Sequence, residues 1–180
     1  MPNTDYLRYL EELRQIPTLS GFENAGQKEV QQLLAPLFDE SRPAGVSGLL
    51  FTKKCSRENA PVLLIDAHLD EIGLIVTDLK DDGTLTVSSL GGMDARTYTA
   101  SSYTIHGKEN MPALSLKKPY CLGGPEARKL PKNGEFWLFT GFTKEELIQK
   151  GVAVGTPVSM ERSTESLSEE QLCGAYMDDK

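Results

Sequence analysis

The sequence predicts an α/β frame interrupted by an inserted β-rich module. Two segments with one-sided apolar stripes open the chain and precede strand-like apolar runs, which favours an α/β layer over an all-β sandwich. A long stretch of short apolar runs spaced by Gly, Pro and Asp turns follows, as in β-rich modules. We therefore expect residues 1–71 and 166–180 to form a partial α/β domain with a mixed sheet and flanking helices. Residues 72–165 would be the insert.

The elements of the frame come first along the chain. A helix is predicted over Asp5–Ile16, where apolar residues recur at helical spacing. Ser20, followed three residues later by Glu23, matches a capping box and predicts that a second helix begins there. Apolar runs then predict strands over Gly45–Lys54 and Pro61–Ala67.

The insert is predicted from runs that are too short for helices and are bounded by turn residues. Asp82-Gly83 between two such runs is a strong hairpin signal. Thr143–Lys150 is the one helical segment expected here, with Thr143 as its cap. The predicted strands are Ile72–Leu79, Thr84–Ser89, Tyr103–His106, Ala113–Leu116, Glu135–Phe139 and Pro157–Met160. The aromatic residues around Trp137 could fill the core of this module or form a self-association face.

Composition excludes several classes of partner. The net charge is −7 and basic residues cluster only in pairs such as Lys53-Lys54, so a nucleic-acid partner is not expected. The longest apolar run is too short to span a bilayer, and the first residues lack the apolar core of a signal peptide. Three widely spaced cysteines form neither a disulfide framework nor a zinc knuckle. We expect a cytoplasmic protein without a membrane partner.

A histidine and two carboxylates interrupt the apolar stretch Pro61–Val76. Buried charge must be paired or bound to metal, which makes this stretch a candidate for chemistry. Imidazole is a common metal ligand, and a carboxylate two residues on can hold the ring in place, so His68 and Asp70 fit a metal site. The same residues also fit a partly exposed histidine at a strand end, with Asp70 and Glu71 starting a turn.

A second candidate lies at the other end of the sequence. Asp178 and Asp179 could supply a carboxylate bridge between two cations, although Asp pairs are also common in solvated turns. An insertion is tolerated when its two ends lie close together in the frame. If so, His68 and Asp178 would lie near each other despite their separation in sequence.

Seven short motifs run through the chain in order, and together they resemble the N-terminal part of the M42 metallo-aminopeptidases. This group includes the glutamyl and tetrahedral aminopeptidases. The motifs are Ser20-Gly21-Phe22-Glu23, His68-Leu69-Asp70-Glu71-Ile72-Gly73, Gly91-Gly92-Met93-Asp94, Lys117-Lys118-Pro119, Phe139–Leu147, Gly151–Val158 and Gly174-Ala175-Tyr176-Met177-Asp178-Asp179-Lys180.

The resemblance implies a metal-dependent aminopeptidase that hydrolyses N-terminal residues from peptides by a metal-activated water. His68 would bind one of two divalent ions, zinc or cobalt, and Asp178 would bridge both. Asp70 would have a catalytic role in support of His68. The inserted β-barrel would be a dimerisation domain, so a homo-oligomer is expected.

The resemblance also places the catalytic Glu and the remaining metal ligands beyond Lys180. We therefore expect an N-terminal fragment that is inactive alone and that need not hold metal by itself. Two alternatives remain: a non-catalytic assembly or binding module, and a glycan hydrolase. The second is the weaker, because a glycosidase needs two carboxylates flanking one bond, whereas Asp70 and Glu71 would point to opposite faces of a strand.

Overall fold

The computed structural model describes residues 4–116, 121, 129, 136–161, 165–168 and 171–173. The chain divides into two compact units, Met1–Glu71 with Ser163–Lys180 and Ile72–Arg162. Within the described ranges, no helix combines the length and the apolar character needed to cross a bilayer.

Two helices open the first unit, as predicted. Helix α1 spans Thr4–Gln15 and helix α2 spans Gln27–Leu34. A 3₁₀ turn over Glu23–Ala25 precedes α2, and another over Ala35–Leu37 follows it, where a proline prevents the helix from continuing.

The capping box predicted at Ser20 is wrong. Phe22 occupies the N-cap position of the 3₁₀ turn, and no side chain caps that turn. The Ser20 hydroxyl instead donates a hydrogen bond to the carboxylate of Asp70. The Glu23 carboxylate accepts from the backbone N–H of Gly21 at 2.9 Å. Helix α2 therefore begins later than the sequence predicts, because the Ser20 hydroxyl that would have capped it donates to Asp70 instead.

Short antiparallel pairs supply the strands of the first unit. Strand β1, Glu40–Ala44, pairs with β2, Gly48–Thr52, which confirms a strand within the predicted range 45–54. Strand β1 was not predicted, since its sequence is polar and contains Pro43. Later strands β9, Glu165–Ser166, and β10, Leu172–Cys173, form a second pair.

The strand predicted over Pro61–Ala67 is absent. These residues adopt no regular structure, and the side chains of the run from Val62 to Ile65 are 76–95% exposed. A fully buried strand needs hydrogen-bonded neighbours and cover on both faces. Among the described residues, the pairing near this stretch is a single parallel bridge between Leu19 and Glu71. The apolar composition predicts a strand that could be buried, but it says nothing about whether neighbours exist.

The second unit is a closed six-stranded barrel, which confirms the predicted β-rich module. The strands follow the order β3-β4-β7-β6-β5-β8, with antiparallel pairing throughout. Their bounds are β3 Gly73–Leu79, β4 Leu85–Leu90, β5 Ser102–His106, β6 Asn110–Leu116, β7 Phe136–Phe139 and β8 Pro157–Met160. Helix α3, Lys144–Gln149, begins with the predicted Thr143 cap, part of a full capping box with Glu146.

The first and last strands of the barrel are neighbours. Leu74 of β3 lies opposite Val158 of β8, and Ile75 lies opposite Pro157, in antiparallel register. The chain therefore enters and leaves the barrel on adjacent strands. This is the arrangement expected of a module inserted into another domain.

Side chains alternate between the two faces of strand β7. Phe136 and Leu138 point into the barrel core, where they are 6% and 0% exposed. Trp137 and Phe139 point outward and are 46% and 45% exposed. The ring of Phe136 stacks on Tyr98 at a centroid distance of 4.0 Å. The aromatic cluster around Trp137 is thus divided between the core and the outer surface, as the two-residue period of a strand dictates.

Candidate functional site

Two loops of the first unit run side by side and carry the candidate site. The backbone N–H of Glu71 donates to the Thr18 carbonyl at 2.9 Å, and the Ser20 N–H donates to the Glu71 carbonyl at 3.0 Å. Leu19 and Glu71 form the parallel bridge between these loops. These bonds fix the backbone directly after Asp70.

Buried side chains reinforce the junction between the two loops. Thr18 is fully buried, and its Oγ1 donates to the carbonyl of Leu69 at 2.8 Å. Glu71 is 2% exposed, and its Oε1 accepts from the Thr18 N–H at 3.3 Å. Buried polar groups of this kind are costly to leave unbonded, so the junction has a strong preference for one geometry.

Asp70 lies between a serine and a histidine. Its Oδ2 accepts a hydrogen bond from the Ser20 hydroxyl, and its Oδ1 lies 3.3 Å from Nδ1 of His68. The Ser20 hydrogen bond lowers the pKa of Asp70, and so does the charge of His68, while partial burial opposes them. Asp70 is therefore a carboxylate at neutral pH.

The position of His68 determines which of its ring nitrogens carries hydrogen. Nδ1 lies 3.0 Å from the backbone oxygen of Asp70, and a carbonyl oxygen can only accept. Nδ1 must therefore be the protonated nitrogen, which puts the lone pair of the neutral ring on Nε2. A neutral imidazole held in one tautomer by a carboxylate is the form in which histidine binds divalent metals, so this donor set fits a cation at Nε2.

The other predicted metal ligand falls outside the described residues. Asp178, the expected bridge, and its neighbour Asp179 lie there, so their roles stay predictions. Among the described residues, no group of three or more His, Cys, Asp or Glu side chains is arranged to hold a metal ion.

The second histidine of the chain belongs to the barrel. Nδ1 of His106 lies 3.1 Å from the side-chain oxygen of Asn110, and Nε2 lies 2.9 Å from the Ser159 hydroxyl. Both ring nitrogens are thus engaged by neighbouring strands. These contacts fit a structural role for His106 in the barrel.

The sequence patterns did not identify two residues of the site. Ser20 matched a helix cap, and Thr18 carried no signal at all. Both lie about 50 residues before Asp70 in the chain, so no local spacing connects them with His68. The sole hint was that Ser20 and His68 each stand in a motif of the same family resemblance.

Comparisons with known proteins agree with this organisation. The family model described as M42 glutamyl aminopeptidase matches residues 48–180. A glutamyl aminopeptidase of Lactococcus lactis subsp. cremoris is 31% identical over 112 residues, which are 62% of this chain and 30% of that protein. The aminopeptidase APDkam598 from the archaeon Desulfurococcus kamchatkensis superposes with a TM-score of 0.80 at 26% identity, covering 91% of this chain and 45% of that one.

A further solved structure shares the fold alone. It is a Pyrococcus horikoshii TET1 peptidase that can assemble into a tetrahedron or a large octahedral shell. Its TM-score is 0.73 at 21% identity, over 89% of this chain and 48% of that one.

The barrel, the helical unit and these similarities place the chain in a family of peptidases. More particularly, the chain belongs to the M42 glutamyl aminopeptidase family. It spans between 30% and 50% of the length of the curated relatives that it matches.

Proposed function

We propose that this chain belongs to a metal-dependent aminopeptidase that removes N-terminal residues from peptides. Membership of the family supports the reaction class. The observation that carries the metal dependence is the contact between Nδ1 of His68 and Asp70, because it prepares Nε2 as a ligand.

Three residues of this sequence have roles in the proposal. His68 would hold one of two divalent ions, zinc or cobalt, through Nε2, and Asp178 would supply a carboxylate to both. Asp70 keeps the imidazole in the tautomer that can bind. When bound, the ions supply Lewis acidity that polarises a peptide carbonyl and activates water.

The geometry argues against the glycan hydrolase alternative. A glycosidase places one carboxyl group on each side of the scissile bond. Asp70 is engaged by Ser20 and His68, whereas Glu71 is buried and bonded to the Thr18 N–H. Asp70 and Glu71 are therefore not placed to flank one sugar linkage as a pair.

His68 and Asp178 are fewer ligands than two metal ions require. We therefore still expect that the 180-residue chain does not catalyse the reaction by itself. The cytoplasmic location also stays a prediction from composition.

We also propose that the protein forms homo-oligomers through the barrel. Leu114 of β6 lies opposite Phe139 of β7, and both side chains are exposed together with Trp137. We name these three residues the outer apolar patch. Exposed apolar patches often mark interaction sites. The assembly of the Pyrococcus horikoshii TET1 peptidase supports a second copy as the partner. The same patch also supports the alternative of a non-catalytic assembly module. Such a module would form oligomers but would not release amino acids from peptides.

The direct test is release of N-terminal amino acids from peptides by the natural protein, before and after chelation. We expect activity with zinc or cobalt, loss of activity after EDTA, and recovery when the metal is restored. Activity that EDTA leaves unchanged would refute metal dependence. Oligomers that bind no metal and release no amino acid would favour the assembly module.

A further inference from the structure

The hydroxyl of Ser20 makes a hydrogen bond that takes no direct part in the proposed hydrolysis. It reaches 50 residues along the chain to donate to Oδ2 of Asp70, and it lies 3.3 Å from the carbonyl of Glu71. Asp70 uses its other carboxylate oxygen, Oδ1, to contact Nδ1 of His68. Ser20 and His68 therefore hold opposite oxygens of one carboxylate.

A carboxylate attached to a half-exposed side chain can rotate about its own bonds. Rotation would carry Oδ1 away from His68, and the imidazole would then keep the Asp70 backbone oxygen as its partner at Nδ1. A hydrogen bond to Oδ2 removes this freedom. The bond comes from a loop that is itself fixed by the buried Thr18 and Glu71.

We infer that Ser20 is a positioning residue for the metal site, acting on His68 through Asp70. The inference rests on the proposed metal-binding role of His68. Outer partners of a ligating histidine orient the ring and raise its basicity, and their loss usually weakens metal binding by about 10- to 100-fold. Ser20 stands one contact further out, so we expect the lower end of that range.

The chain offers matched variants for a test. Ser20→Ala removes the hydroxyl and leaves the bond from the Ser20 N–H to Glu71 intact, so the loop junction should still form. Ser20→Thr keeps a hydroxyl at the same place. Ser56→Ala removes the hydroxyl of an exposed serine in the same unit and serves as the control. Should Ser20→Ala fail to fold, Ser20→Cys, with a weaker donor of similar size, replaces it.

The experiment measures the zinc dissociation constant of the natural protein and its variants by competition with a chelator. Ser20→Ala should bind zinc about 10-fold more weakly, while Ser20→Thr and Ser56→Ala should match the unaltered protein. Thermal unfolding of the metal-free proteins shows whether the fold is retained.

A double-mutant cycle separates positioning from a general structural effect. If Ser20 acts through Asp70, then adding Ser20→Ala to Asp70→Ala should cause no further loss of zinc affinity. Additive losses of zinc affinity in the double variant would overturn this inference. A Ser20→Ala variant that binds zinc as tightly as the unaltered protein would also overturn it. In both cases the proposed function would stand. Absence of zinc binding by the unaltered protein would overturn the proposed function as well.

Discussion

Nδ1 of His68 contacts Asp70 twice, at 3.0 Å from its backbone oxygen and 3.3 Å from its carboxylate Oδ1. The backbone contact persists when the side chain is changed, whereas the carboxylate contact does not. The two contributions can therefore be separated by substitution.

Asp70→Asn should weaken zinc binding by about 10- to 100-fold, because the amide keeps the shape of the side chain but loses the charge that supports the imidazole. Asp66→Asn, at an exposed aspartate of the same segment, is the control and should leave binding unchanged. Chelator competition measures both. Equal zinc affinity in the two variants would remove Asp70 from the site.

Thr18→Val should lower the free energy of unfolding by about 1–3 kcal/mol, because it leaves the Leu69 carbonyl without its donor in a buried junction. Thr86→Val is the matched control in the barrel. The Thr86 Oγ1 is buried without a hydrogen-bond partner among the described residues. Its removal should change stability little or increase it.

Denaturant unfolding measures both threonine variants, with circular dichroism for Thr18 and the fluorescence of Trp137 for Thr86. Trp137 lies opposite Thr86 in the barrel, so it reports unfolding at that position. A larger loss of stability from Thr86→Val than from Thr18→Val would contradict the assignment of these hydrogen bonds.

Two barrel-unit glycines differ in the space around them although their backbones are alike. Gly83 has φ +80° and Gly141 has φ +79°. A Cβ at Gly83 would lie 2.0 Å from the backbone oxygen of Phe142, whereas a Cβ at Gly141 meets nothing within 4 Å. Gly141→Ala should cost about 1–2 kcal/mol for the left-handed backbone, and Gly83→Ala should cost clearly more. Thermal unfolding of both variants checks this order, and equal costs would contradict it.

Asp94 carries the clearest prediction of pH dependence. Hydrogen bonds from the side chain and backbone of Arg96 lower the pKa of Asp94 to about 2. Because the folded pKa lies below the ordinary value of 3.8, the stabilising effect is present above that value and is lost as the pH falls towards 2. Arg96→Ala should return the pKa towards 3.8. Carboxyl NMR titration measures the midpoint, and no change on substitution would refute the pairing.

The outer apolar patch predicts an effect on assembly. Replacing Trp137 and Phe139 by Ser should reduce the mass measured by light scattering, because the patch would lose its apolar character. A double substitution at two exposed polar strand positions, Asp78→Asn with Ser102→Ala, should have no effect. An unchanged mass in the Trp137 and Phe139 variant would place the interface elsewhere.

The sequence predicted the strands of the β-rich module well because their signals are local. Alternating side chains and the turn at Asp82-Gly83 determine the β3–β4 hairpin from adjacent residues, as the pairing of these two strands confirms. Helix α3 was predictable for the same reason, since Thr143 and Glu146 complete a cap within four residues.

The sequence patterns gave wrong or missing predictions where hydrogen-bonded residues are far apart in the chain. Ser20 satisfied a local capping pattern, yet its hydroxyl bonds Asp70 across 50 positions. The run from Val62 to Ile65 has the composition of a buried strand, but strand formation depends on neighbours that composition does not specify. His68 was identified because its chemistry is rare in an apolar stretch, whereas Thr18 and Ser20 were missed because hydroxyls are common in loops.

The metal content of the natural protein tests the central claim most directly. The chain has two histidines, so His106→Ala is the matched control for His68→Ala. After dialysis against zinc and removal of the excess, the unaltered protein and His106→Ala should retain zinc, and His68→Ala should retain less. With the metal removed, His68→Ala should unfold at the same midpoint as the metal-free unaltered protein. Full zinc content in His68→Ala would contradict the assignment of His68 as a metal ligand.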